Sequence, residues 1–177
     1  ISGGDGTNHV TLTIFVEEYG DKPLPKIALL RGGTMNNLAS ELKIRGTTES
    51  ILSDLIMKYH KGEELTIQEV DLMNVNGLYG FVFGCGLITK FCDRYYNEGP
   101  GEPTPMKALR LLTQAGISAF INGKFARYIS EKWDAEITVD GKKMPFRNYS
   151  MLFVGTMMSL GFCFRPMYRV HRHPGCF

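Results

Sequence analysis

Apolar positions recur at helical spacing over residues 8–19. Val10, Ile14 and Phe15 fall on one face, and Glu17, Glu18 and Asp21 close the run in polar surroundings. The pattern predicts a helix with that face turned to a core. Residues 26–30 are a short apolar run behind the turn Pro23-Leu24-Pro25 and read as a buried strand. A short helix over residues 36–42 opens from a glycine turn. Thr48 then serves as N-cap of another helix, with Ile51, Leu52, Leu55, Ile56 and Tyr59 as its apolar positions and Gly62 as its stop. Loop, helix, strand, helix, helix is the punctuation of an α/β layer.

Past residue 62 the pattern changes. Residues 65–73 alternate like a strand, and residues 78–83 return as its partner across Asn76-Gly77, a pair suited to the positive φ angles of a type I′ turn. Residues 105–131 carry helical periodicity, interrupted near Asn122-Gly123. Residues 135–139 predict a strand closed by a second hairpin signal, Asp140-Gly141, and residues 149–154 and 162–170 add further strands. Hairpins imply antiparallel pairing. The expected fold is α/β plus β-sandwich: a partial α/β layer over residues 1–61, then an antiparallel β-sandwich with helical insertions over residues 62–177. No internal repeat and no low-complexity tract interrupts this order.

Composition adds little to the picture of a globular chain: 44% of the 177 residues are hydrophobic, 21% are charged, and the net charge is +2. That balance argues against a nucleic-acid partner. Its distribution is uneven, because no acid follows Asp140 while Lys142, Lys143, Arg147, Arg165, Arg169 and Arg172 do. Such a stretch either faces an anion or is a set of solvated charges. Cys85, Cys92, Cys163 and Cys176 have no C-x-x-C spacing, which excludes the usual zinc and redox dithiol patterns. The first three sit among apolar residues and are expected to be buried thiols. His171 and His173 lack the further ligands a metal site needs. Residues 77–88, the longest apolar stretch, are too few to cross a bilayer as a helix.

Two glycine loops carry the candidate chemistry. In Gly3-Gly4-Asp5-Gly6-Thr7, between a strand end and a helix start, the missing Cβ atoms let backbone approach a phosphate, and the helix N-terminus offers free N–H groups. Asp5 places a carboxylate there, able to hold Mg²⁺ or accept a hydroxyl proton. The second loop, Gly32-Gly33-Thr34-Met35-Asn36-Asn37, repeats the strand–loop–helix order, with Thr34 and Asn36 as hydrogen-bonding side chains. Each alone also reads as a capped turn. Two such loops after two strands of one sheet are expected side by side at its carboxyl edge, where open α/β sheets take ligands.

Gly-Gly-Asp-Gly-Thr, followed about thirty residues on by Leu-Leu-Arg-Gly-Gly-Thr-Met-Asn-Asn-Leu-Ala, resembles the catalytic domain shared by diacylglycerol kinases, sphingosine kinases and bacterial lipid kinases. Looser likeness continues through residues 71–77 and 84–86, Val139-Asp140-Gly141, Phe153-Val154-Gly155, Pro166 and Pro174-Gly175-Cys176-Phe177. The resemblance implies an α/β ATP-binding domain joined to a lipid-holding β-sandwich, with ATP and Mg²⁺ as cofactors. It implies Asp5 as the catalytic and metal-binding carboxylate. Gly3, Gly4, Gly6, Thr7, Arg31, Gly32, Gly33, Thr34 and Asn36 become the nucleotide contacts. The activity it implies is transfer of the γ-phosphate to a lipid hydroxyl, diacylglycerol or a related lipid. The partners it implies are a lipid substrate and, peripherally, a membrane surface in the cytoplasm, with a homodimer as one form of association.

Several positions depart from the family pattern. Val10 stands where many relatives have Glu, Asn37 where Asp is usual, and Arg31 where an apolar residue or Pro is usual. The stretch 84–90 lacks an Asp that in sphingosine kinases meets the lipid amine, which moves the expectation away from sphingosine. A C-terminal acidic motif of the family is expected beyond Phe177 and further chain before Ile1, so the 177 residues alone are expected to be inactive. The rival readings are an NAD kinase-like phosphotransferase, against which the Gly-Gly-Thr-x-Asn loop argues, and a degenerate kinase domain that binds nucleotide or lipid.

Overall fold

A computed structural model describes residues 1–97, 104–159, 165–170 and 175–176. The chain is a mixed α/β protein of six helices and eight short strands among these residues. It divides into two compact units, residues 1–83 with 154–177, and residues 84–153. The change of character anticipated at residues 61–62 falls inside the first unit.

The first unit opens with a pair of extended segments. The amino terminus of Ile1 donates to Ala28 O (2.6 Å). Leu30 N–H then donates to Ile1 O (2.9 Å) and Gly32 N–H to Gly3 O (3.0 Å). This slanted alternation is the bonding of parallel strands. Residues 26–30, expected as a buried strand, run extended with this bonding but form no regular strand, and only Leu29 among them is buried. Helix α1 (Asp5–Tyr19) follows the first segment and α2 (Asn37–Glu41) the second. Helix α3 (Thr48–Lys61) starts one residue earlier than the sequence suggests. Thr47 is its N-cap, in a reciprocal capping box with Ser50, and Gly62 ends it with φ +68°.

The buried face of α1 is not the expected one. Val10 and Ile14 are exposed, whereas Asn8, Leu12 and Thr13 are buried. Polar bonds decide the orientation. Strands β1 (Met73–Val75) and β2 (Leu78–Gly80) form an antiparallel hairpin, pairing Asn74 with Tyr79. Tyr79 N–H donates to Thr13 Oγ1 (2.9 Å), that hydroxyl donates to His9 O (3.0 Å), and His9 Nδ1 meets Tyr79 O at 2.5 Å. One turn of α1 thus grips both backbone polar groups of one hairpin residue. The hairpin turn has φ +52° at Asn76 and +86° at Gly77, as the sequence requires. The strand expected over residues 65–73 begins only at Met73, and the one expected over 78–83 is interrupted at Phe81. Later residues close this unit: Thr156 Oγ1 donates to Asp71 O (2.7 Å), and Met158 N–H donates to Glu41 Oε1 (3.0 Å).

The second unit is mainly helical. Strand β3 (Val82–Gly86) leads into α4 (Leu87–Asn97), a helix not anticipated from the sequence. Helices α5 (Pro105–Phe120) and α6 (Lys124–Ile129) break at Asn122-Gly123 as expected. Tyr95, Ala108 and Leu111 form the core of this unit, with Phe91 packed on it. Strands β4 (Trp133–Asp134), β5 (Thr138–Val139), β6 (Lys142–Lys143), β7 (Asn148–Tyr149) and β8 (Met151–Gly155) follow. The strands pair two by two as β1-β2, β3-β8, β4-β7 and β5-β6. The β5–β6 turn has φ +48° at Asp140 and +76° at Gly141.

Residues 165–170 form turns where a strand was expected, and residues 162–164 of that segment lie outside the described residues. Cys85 is half-buried, and Cys92 is exposed rather than buried. Cys163, His171, Arg172, His173, Pro174 and Phe177 lie outside the described residues. Two of the late basic residues are engaged with acids: Lys143 with Glu136 at 2.8 Å, and Arg147 with both oxygens of Asp134 at 3.1 and 3.2 Å.

Candidate functional site

The two glycine loops lie against each other. A Cβ added at Gly4 would come within 2.9 Å of Gly33 Cα, and one at Gly32 within 2.9 Å of Gly3 N. Side chains at these positions would force the loops apart. Gly6 differs, because a Cβ there would meet nothing within 4 Å. Glycine at residue 6 therefore leaves open space over the first turn of α1. Gly4 stands at the N-cap, so no side chain of the cap residue satisfies the first-turn N–H groups. Such a helix end fits an anion.

Asp5 joins the two loops. Its Oδ2 accepts Asn37 N–H (2.9 Å) and its Oδ1 accepts Leu38 N–H (3.1 Å), so it caps α2 from the neighbouring loop. Each oxygen retains acceptor capacity beyond that one bond. Asn36 is buried with φ +49°, and its amide is spent on its own loop. Its Oδ1 accepts Gly33 N–H (2.9 Å) and its Nδ2 donates to Gly33 O (2.5 Å). Arg31 Nη1 donates to Ile44 O (3.0 Å), bracing the segment that follows α2. Thr7 and Thr34 are exposed on the first and second loops, respectively. The structure therefore brings Gly3, Gly4, Asp5, Gly32, Gly33 and Asn36 together and directs the Arg31 side chain to the backbone.

The donor set suits a phosphate better than a bare metal ion. Among the described residues no group of three or more His, Cys, Asp or Glu gathers for a metal. Asp5 supplies one carboxylate, and Mg²⁺ is commonly held by one or two carboxylates with phosphate and water oxygens as the rest.

The grip of His9 and Thr13 on Tyr79 was missed in the sequence. Its signal was an i, i+4 pair of polar side chains inside an apolar run, but the partner lies far along the chain.

Paired extended segments, two abutting glycine loops and helices springing from both define a glycine-loop α/β domain. Residues 1–70 match the family model of the diacylglycerol kinase catalytic domain. Over this segment the chain is similar to the diacylglycerol kinase catalytic domain. Comparison with curated proteins and with solved structures gives no match. Among the described residues no helix is long and apolar enough to cross a membrane.

Proposed function

We propose that this chain is part of an ATP-dependent lipid kinase that phosphorylates the hydroxyl of diacylglycerol or a related lipid. The observation that carries the reading is the abutment of Gly4 on Gly33 beside the uncapped start of α1, within the segment that matches a kinase catalytic domain. Residues 3–7 and 32–36 bind the ATP phosphates, with the N–H groups of Gly6 and Thr7 as donors and the Thr7 and Thr34 hydroxyls at the rim. Mg²⁺ bound with the nucleotide neutralises phosphate charge, the general logic of phosphoryl transfer. Asp5 orients the metal or takes the hydroxyl proton through the acceptor positions its two backbone bonds leave open. Gly33 and Asn36 keep the second loop in shape, and Arg31 acts at a distance by holding residue 44. The paired strands beyond residue 72 are pieces of the lipid-holding β-sandwich. The site of action is a membrane surface reached from the cytoplasm.

A rival reading, nucleotide binding without transfer, draws support from the engagement of both Asp5 oxygens by α2 and from Asn37 where an acid is usual. ATP consumption by the full-length protein with a panel of lipid alcohols separates the two. Lipid-dependent ADP release supports the kinase. Saturable ATP binding with no lipid-dependent release, across the whole panel, replaces it with the binding module.

A further inference from the structure

Helix α5 is apolar on two opposite faces. Ala108, Leu111 and Ser118 are buried and face the core that includes Tyr95. At about 100° per residue, Met106, Leu109, Ile117 and Phe120 fall together on the other side. All four are exposed, Phe120 by 93% and Met106 by 72%. Ile121, at the end of the helix, is 68% exposed and adds to the same corner.

Along the sequence of α5 and α6 the charge has one sign. From Pro103 to Ser130 the chain has no Asp or Glu and four cations, Lys107, Arg110, Lys124 and Arg127. Arg110 falls on the apolar side of α5, between Met106 and Ile117. Lys124 begins α6, directly after the turn that follows Phe120 and Ile121. Arg110, Lys124 and Arg127 are exposed. An apolar stripe ending in an exposed phenylalanine, in a stretch of chain whose charged residues are all cations, complements an anionic bilayer. Hydrocarbon takes Phe120 and Ile121, and long basic side chains reach the headgroups.

We propose that this face of α5, with the α5–α6 corner, docks the protein on anionic lipid bilayers. The surface lies wholly within the second unit, and docking does not depend on the kinase reading. It is measured without ATP, so a protein that docks and does not phosphorylate leaves it standing.

The test is sedimentation of the full-length protein with vesicles of phosphatidylglycerol in phosphatidylcholine, and with phosphatidylcholine alone. Binding is expected to be about tenfold or more tighter to the anionic vesicles and to weaken as salt rises. Phe120→Ser with Ile121→Ser is expected to weaken it about tenfold or more, and Lys124→Glu about fivefold or more. These side chains are exposed, so the circular dichroism spectrum is expected to stay that of the wild type. Phe120→Trp supplies a second readout, a blue-shifted emission difference on adding anionic vesicles. Undiminished vesicle binding by the double variant, no preference for anionic lipid, or an unshifted Phe120→Trp emission overturns the proposal. A wild-type dimer that the double substitution splits into monomers also overturns it, because the face would then be covered by a second copy.

Discussion

The carboxylate of Asp5 has about four acceptor positions, and the backbone of α2 takes two of them. That division separates two roles a substitution would otherwise confuse. Asp5→Ala removes both bonds and is expected to cost about 0.5–2 kcal/mol, as lost helix caps do. Asp5→Asn keeps one oxygen and is expected to cost about 1 kcal/mol. On the kinase reading, Asp5→Asn also lowers phosphotransfer by about 100- to 10,000-fold. Urea denaturation beside a lipid-phosphorylation assay reads both. A rate loss without the modest stability loss would mean that the bonds to α2 carry no weight. The sequence alone gave no reason to expect any cost in folding, because nothing local marks which neighbouring helix a loop carboxylate will reach. Thr13 makes the same point from the opposite direction. Thr13→Val leaves Tyr79 N–H without its acceptor and is expected to cost about 1–3 kcal/mol, whereas Thr13→Ser costs less. Equal denaturation midpoints for the two variants would refute the grip described between α1 and β2.

Elements differ in how openly they announce themselves. Helices α3, α5 and α6 and the turns at Asn76-Gly77 and Asp140-Gly141 were legible because their signals are local: caps, terminal glycines and residues that accept positive φ. Helix α4 was not, because Gly84 and Gly86 punctuate an apolar run that reads as strand. Its stripe of Phe91 and Tyr95 acquires meaning only against Ala108 and Leu111. The buried face of α1 was misjudged for a similar reason, since hydrogen bonds to a distant hairpin outweigh the apolarity of Val10 and Ile14. The abutting loops were legible from their repeated strand–glycine–helix order, and they invite a paired test. Gly33→Ala puts a methyl against Gly4 Cα and is expected to cost about 1–3 kcal/mol. Gly6→Ala meets open space and is expected to leave stability unchanged or slightly raised. If phosphate sits over that turn, Gly6→Ala nonetheless weakens binding of a fluorescent ATP analogue, and full affinity there would move the phosphate elsewhere.

The helical second unit also carries a pH signature. Lys90 donates to Glu131 Oε2 at 2.7 Å, and this bond, aided by the ammonium charge, holds the Glu131 carboxyl below its ordinary 4.5. A depressed acid adds stability above its unfolded value and loses it as pH falls through the folded one. Glu131→Gln is therefore expected to lower the urea midpoint slightly at neutral pH. The difference should vanish below the carboxylate range, and a gap that persists in acid would assign the effect to packing.

At the scale of the whole molecule, the first unit is assembled from two stretches of chain separated by the entire second unit. Phe81 O accepts Thr156 N–H at 2.8 Å, and Asp71 Oδ2 accepts Gly175 N–H at 2.8 Å. Ending the chain after Gly155 removes the donors that Thr156, Met158 and Gly175 provide. Hydrogen exchange in such a truncated chain is expected to quicken over residues 73–80 and to change little over α4–α6. Uniform quickening would mean that the two units fold as one.

The split order of the first unit sets a timetable for synthesis. When Phe83 leaves the ribosome, its unit still lacks residues 154–177, and the 70 residues of the second unit come next. At about 5–20 residues per second those 70 residues alone keep the nascent first unit open for roughly 4–14 seconds. Throughout that interval the donors that Thr156 brings to Asp71 O and Phe81 O are not yet made. The helical segment encoded in between has the time to fold alone, and the glycine-loop unit is the last part of the described chain to close.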